Sequence, residues 1–203
     1  MSPSIINSTE IPLVVDLDGT VIKSDLLYES ALLFLKKNPL HIFLIIRWLL
    51  CGISVLKIKL AERVTIDVES LPYNVSFLEY LKSEFEKGRE LILATASAQI
   101  YAQRVADHLR IFSMVLATDE KNNLRGSKKL EKLVSLYGEK GFDYAGDSSA
   151  DIVIFSHCRN AHLINASGKT IQKVSKTANL SSVVKKPVLG LLHSLKAARV
   201  YQW

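Results

Sequence analysis

The stretch VVDLDGTV (Val14–Val21) decides how the rest of the chain reads. It closes the apolar run IPLVV (Ile11–Val15). A short, continuous apolar run of this kind suits a strand buried on both faces of a parallel sheet. The run ends in two carboxylates, Asp16 and Asp18, and a Gly-Thr pair follows at once. In extended chain, residues two apart point to the same side, so the doublet crowds two negative charges where the backbone must turn. Left unneutralised, that arrangement makes one carboxylate take up a proton.

Working outward from this strand, the chain alternates. ELILA, MVLAT, FDYAG and AHLIN read as strands, and AQIYAQRVADHL, GSKKLEKLVSLYG and SADIVIFSHC between them read as helices. That alternation predicts βαβ units and an α/β fold, a doubly wound, mostly parallel sheet. Sites in such sheets lie outside the carboxyl ends of the strands. The polar residues there are Asp16 and Asp18, then Thr95 and Ser97, then Asp147 and Asp151, with Lys128 and Lys129 at the start of a helix. Asp147 adds a third carboxylate to the doublet, and a hard divalent cation resolves the repulsion. Mg²⁺ takes oxygen ligands and keeps positions open for water or phosphate oxygens. Asp16 can then act as a nucleophile on phosphorus while ligating the metal, and Asp18 as general acid and base. Gly19 lets the backbone turn close to the phosphate. The Thr95 hydroxyl and neighbouring amides such as that of Ala96 can hold phosphoryl oxygens, and a lysine neutralises the developing charge.

As a set, these residues resemble the haloacid dehalogenase-like (HAD) phosphatase superfamily, in its phosphoserine-phosphatase-like subgroup. DLDGT (Asp16–Thr20) is similar to its first motif, LILAT to its second through Thr95, a lysine at a helix start to its third, and GDSSAD (Gly146–Asp151) to its fourth. The resemblance implies that Asp16 is phosphorylated and that Asp18 is the general acid/base. It implies Mg²⁺ ligation by Asp16, the Asp18 carbonyl and Asp147, with Gly19, Thr20, Ser148 and Asp151 in support. Lys128 and Lys129 both stand at the third motif, and Lys129 fits G-x-x-K better. A phosphomutase shares every one of these motifs.

The resemblance also implies a small α-helical C1 cap at 22–74, inserted into a catalytic core made of 11–21 and 75–166. Three helices are expected in the insert: SDLLYESALLFLKK with Ser24 as N-cap, LHIFLIIRWLL opened by Pro39 and ended by Gly52, and SVLKIKLAERV. A fourth, NVSFLEYLKSEFEKG, has Phe77, Leu78, Leu81 and Phe85 on one face and leads back to the core. LHIFLIIRWLLCGISVL looks like a membrane span at first sight. Arg47 near its middle would cost about 2.5–3.5 kcal/mol on insertion. A single crossing would also part Asp16 from Thr95, so the expectation is a cap helix. It is either buried or resting in a membrane interface, with Lys36, Lys37, Lys57 and Lys59 near its ends.

Beyond Asn165 the chain turns polar and reads as a linker (from 167) leading to the amphipathic stretch KKPVLGLLHSLKAARVYQW. That stretch, with LPYN, LATAS and GFDYAGDS, resembles the soluble HAD domain fused ahead of UbiA-type membrane prenyltransferases. It departs from that pattern at AARVYQW, which has no Pro-His pair. The implied partners are a phosphorylated small molecule or lipid-linked (polyprenyl or sugar) phosphate, a membrane surface, and the fused prenyltransferase. A non-catalytic membrane-adaptor domain is the alternative from another class.

The bulk properties agree with this range. The 203 residues are 48% hydrophobic and 23% charged, which is a globular composition. The formal net charge of +6 suits an anionic partner. Basic residues are scattered with no aromatic-basic surface motif, so nucleic acid is not an expected partner. Cys51 and Cys158 show no metal-ligand spacing and read as free thiols. MSPSIINSTE carries neither a basic nor an apolar leader region. The expected location is the cytoplasm, at the cytoplasmic face of the inner membrane.

Overall fold

Residues 11–119 and 122–184 are described by a computed structural model. The expectations for MSPSIINSTE and for the tail KKPVLGLLHSLKAARVYQW fall outside them. Six parallel strands form one sheet in the order β3-β2-β1-β4-β5-β6. They are β1 (Leu13–Val15), β2 (Leu91–Ala98), β3 (Met114–Thr118), β4 (Asp143–Gly146), β5 (Ala161–Ile164) and β6 (Leu180–Val184). Helices cover both faces, which is why β1 is apolar at every position. Leu13 and Val15 pack into one layer of side chains and Val14 into the other. Leu91 and Leu93 of β2 join the first layer, and Ile92 and Ala94 the second.

Helices α4 (Val75–Glu86) and α5 (Gln99–Leu109) lie on the first face. Helices α6 (Ser127–Tyr137), α7 (Ile152–Phe155) and α8 (Gly168–Val174) lie on the second. Phe77, Leu78 and Leu81 of α4 are buried, but Phe85, in the last turn, is exposed.

The sheet does not end at β5. The polar stretch read as a linker folds into α8 and β6, and β6 pairs with β5 through His162 with Ser182 and Leu163 with Val183. LSSVV escapes a periodicity reading because it is an edge strand with two serines, so it lacks a continuous apolar run.

The insert after β1 is helical: α1 (Leu26–Lys37), α2 (Ile42–Leu50) and α3 (Ile53–Arg63). Its two ends are tied together. Ile22 and Tyr73 form an antiparallel bridge, and the Asn74 amide donates to the Val21 carbonyl at 2.8 Å. Asp25, not Ser24, caps α1, its carboxylate accepting from the amides of Leu27 and Tyr28. Gly52 breaks α2 from α3 at φ +123°, a conformation that favours glycine. Apolar side chains of the insert, Phe34, Leu56 and Leu60, continue the core of the first sheet face without interruption. Only Trp48 of α2 is buried, so α2 is not a buried cap helix. Among the described residues no helix is long and apolar enough to cross a membrane.

Candidate active site

The carboxyl ends of β1, β2 and β4 and the start of α6 surround one cleft of about 500 Å³. Parallel pairing of β1 with both β2 and β4 puts their last residues side by side. Asp16 follows β1 immediately, and its amide donates to Ala145 of β4 at 2.9 Å. Asp16, Asp147 and Asp151 each offer a carboxylate oxygen, all within 4.8 Å of one another. Lys129 reaches down from α6 into this group. Its Nζ lies 2.9 Å from Asp16 Oδ1, 2.9 Å from the Tyr144 hydroxyl and 3.3 Å from Asp151 Oδ1. Lys128, one residue earlier, lines a different cleft with Glu131 and Lys132.

Gly19 shows how closely the loop is packed. Its φ is +75°, and a Cβ there would sit 2.2 Å from Asp147 Oδ2. Glycine is therefore needed twice, for the turn and for the room it leaves the carboxylate. Asn165, just past β5, secures the same loop by donating to the Gly19 carbonyl at 3.0 Å. Ser148 Oγ donates to Asp151 Oδ2 at 2.9 Å. Thr20 is fully buried, and its hydroxyl finds no partner among the described residues.

The Asp18 carboxylate stands outside the cluster formed by Asp16, Asp147 and Asp151. It accepts from the Leu26 amide at 2.8 Å and from Ser97 Oγ at 2.5 Å, with Thr95 Oγ1 at 3.4 Å. The side chains of the doublet, crowded in the sequence, are thus parted by the turn. Burial pushes the Asp18 carboxyl up, helped by the charge of Asp25 and opposed by Ser97, Leu26 and Lys57. Burial also raises Asp16, to about 8, with the charges of Asp151 and Asp18 adding to the effect and Lys129 opposing it. Burial disfavours charge on Lys129, but Asp16 and Asp151 outweigh it and hold the ammonium above its usual value.

For Ser97, a polar strand end in the sequence, only the bond to Asp18 is new. One group in the cleft is visible only in three dimensions, Lys57 of α3, whose Nζ donates to the Ala96 carbonyl at 2.6 Å. Lys57 therefore points into the cleft and not toward a membrane, contrary to its expected place among the interfacial lysines. Burial lowers its pKa while Asp18 and Asp25 oppose that. Lys23 and Arg125 complete a basic rim. No local pattern marks Lys57, because it comes from a helix about forty residues after the doublet. Ala96 contributes its carbonyl to Lys57 and to Thr118 Oγ1 at 2.8 Å.

The donor set fits a hard divalent cation. All three clustered groups are carboxylates, the oxygen donors that such an ion takes, and Lys129 contacts two of them, Asp16 and Asp151. Asp151, expected only in support, stands in the donor cluster itself.

This fold is similar to that of solved HAD-family hydrolases. A phosphoserine phosphatase in complex with its substrate superposes with a TM-score of 0.59 and 16% identity, covering 93% of this chain and 98% of that one. A HAD-family hydrolase, t0658, of Salmonella enterica serovar Typhi gives 0.58 and 14%, covering 84% and 68%. A protein of unknown function from Bordetella pertussis Tohama I gives 0.63 and 13%, covering 83% and 96%. At these identities the likeness is one of fold. Among curated proteins, the uncharacterized protein y4nM of Sinorhizobium fredii (strain NBRC 101917 / NGR234) is 32% identical over 198 residues. The match takes in 96% of this chain, which spans 38% of that relative's length. No family model matches the chain.

Proposed function

We propose that the chain is a Mg²⁺-dependent phosphomonoesterase working through an aspartyl-phosphate on Asp16. The observation that carries this reading is the parting of the doublet. Asp16 lies among Lys129, Asp147 and Asp151, while Asp18 is held apart by Ser97 and the Leu26 amide. Two carboxylates in different surroundings suit two different roles.

In this reading an Asp16 oxygen attacks phosphorus and the ester P–O bond breaks. Asp18, whose raised pKa favours the acid form, gives its proton to the departing oxygen. Asp18 then removes a proton from water as that water attacks the phosphoryl group. Inorganic phosphate leaves and the Asp16 carboxylate is restored. Lys129 stays charged and holds Asp16 in place while offsetting the charge that develops on the phosphoryl oxygens. Asp16, Asp147 and Asp151 would hold the metal, which supplies further neutralisation of the phosphoryl charge. A solved neighbour with a TM-score of 0.56 is a phospho-aspartyl intermediate analogue of phosphoserine phosphatase, which supports this scheme by analogy of fold.

For the substrate we infer a polar phosphorylated group, because Lys23, Lys57 and Arg125 ring the cleft. A sugar phosphate or a polyprenyl-linked phosphate meets that description. A fused UbiA-type prenyltransferase is the partner proposed from the resemblance of the tail. The test is release of inorganic phosphate by the purified chain from soluble sugar phosphates and polyprenyl phosphates, with no bisphosphate added. Multiple turnovers, lost on chelation and restored by excess Mg²⁺, are the expected result. A single turnover that resumes only with a bisphosphate would make the chain a phosphomutase. Substrate binding without turnover would make it an adaptor.

A further inference from the structure

We propose that α2 is a docking face for an anionic lipid surface. Helix α2 and the turn before it present Leu40, Ile42, Phe43, Leu44, Ile46, Leu49 and Leu50 to solvent. Phe43 is 68% exposed and Leu50 84%. Burial of such side chains in water-free surroundings is the main driving force of docking, and large apolar side chains exposed together along one short helix mark a contact surface.

Charge selects the occupant. From Ser30 to Ala61 the sequence holds no Asp or Glu, while Lys36, Lys37, Arg47, Lys57 and Lys59 all fall within it. Lys57 is turned into the catalytic cleft and Lys59 pairs with Glu62, so the charge around α2 comes from Arg47, exposed on α2 itself, and from Lys37 at the end of α1. A two-fold contact between copies would bring two such cationic patches together with no Asp or Glu of the same stretch to offset them. An anionic lipid surface instead takes the apolar side chains between its acyl chains and the cations among its head groups. The nine residues of α2 are too few to span a bilayer, so it would lie in the surface. Ile53, three residues beyond the end of α2, lines the catalytic cleft. Docking would therefore bring that cleft close to the lipid.

The test is co-sedimentation of the 203-residue chain with phosphatidylglycerol-containing and pure phosphatidylcholine vesicles at low and moderate salt. The chain should pellet with the anionic vesicles, less so as salt rises. Phe43→Glu with Leu50→Glu should keep it in the supernatant while phosphate release from a soluble ester is unchanged. Arg47→Gln should weaken partitioning about fivefold, the equivalent of about 1 kcal/mol. A polarity-sensitive fluorophore on Cys51, exposed at the end of α2, should shift to the blue with anionic vesicles; Cys158 is buried and stays unlabelled. Wild type remaining in solution at low salt would overturn the proposal. So would a double variant that pellets like wild type, which would put the lipid contact elsewhere. A dimer abolished by the double variant, without vesicle binding, would make α2 an interface between copies. Because binding is read without catalysis, failure of the phosphatase reading leaves this result intact.

Discussion

Strand β4 carries an aspartate at each end, and the two ends have opposite electrostatics. At the amino end, Asp143 accepts from Arg159 Nε and Nη2 at 2.9 and 2.7 Å, from the Asn160 amide at 3.0 Å, and from Arg89. Arg89 is itself tied to Glu84 and to the Ile11 carbonyl. Burial pushes the Asp143 carboxyl up, but the two guanidinium groups outweigh it and hold it below its ordinary value. At the carboxyl end, Asp16, Asp147 and Asp151 crowd together with Lys129 as the cation in contact. One end is neutralised by the chain's own groups. The other gathers three carboxylates on one cleft, which is the arrangement that the proposed function requires.

Substitutions can break this contrast. The largest effect expected is from Asp16→Asn: phosphate release should fall to background, because an amide is a poor nucleophile. The metal-free variant should melt within a few degrees of wild type, since asparagine keeps the shape of the side chain and an oxygen that accepts from Lys129. A melting temperature that falls sharply would show that the carboxylates stabilise the fold at this end too.

Asp18→Asn should slow turnover by about 10²–10⁴-fold, the usual contribution of a positioned acid or base. The loss should be greatest with a poor leaving group and small with nitrophenyl phosphate. Equal losses on both would mean that Asp18 does not protonate the leaving oxygen.

Asp143→Ala should do the reverse. Activity at low temperature should persist, while stability falls by about 3–5 kcal/mol, because two arginines lose their buried partner. In wild type the Asp143 carboxyl titrates lower in the folded than in the unfolded chain. Its stabilisation is therefore present above the ordinary carboxylate value of 3.8 and is lost as pH falls through the lower folded value. Denaturation midpoints followed downward in pH should drop for wild type and drop less for Asp143→Ala.

The smallest effect separates two neighbouring lysines. Lys129→Met should abolish turnover, and Lys128→Ala, which faces another cleft, should leave it within about twofold and stability within about 0.5 kcal/mol.

Much of this was open to reading along the chain. The strands that carry the site are continuous apolar runs, and their polar ends follow them directly, so Asp16, Asp18, Thr95, Asp147 and Asp151 could be picked out in order. Ser97 was visible as a polar strand end, but its hold on Asp18 was not. Lys57 and Asn165 gave no local signal, because each meets the site only through the packing of a distant element. Strand β6 escaped because an edge strand with serines lacks the apolar run that marks the others.

The sequence by itself determined the parallel sheet and which polar residues stand at its strand ends, since period and punctuation are local properties. Tertiary structure alone decided which of Lys128 and Lys129 enters the cleft, that Asp151 joins Asp16 and Asp147, and that Asp18 turns away from them. It alone decided that α2 is left uncovered. Those outcomes depend on which surfaces meet at long range, and an apolar helix reads the same in sequence whether its partner is the protein's own core or something outside it.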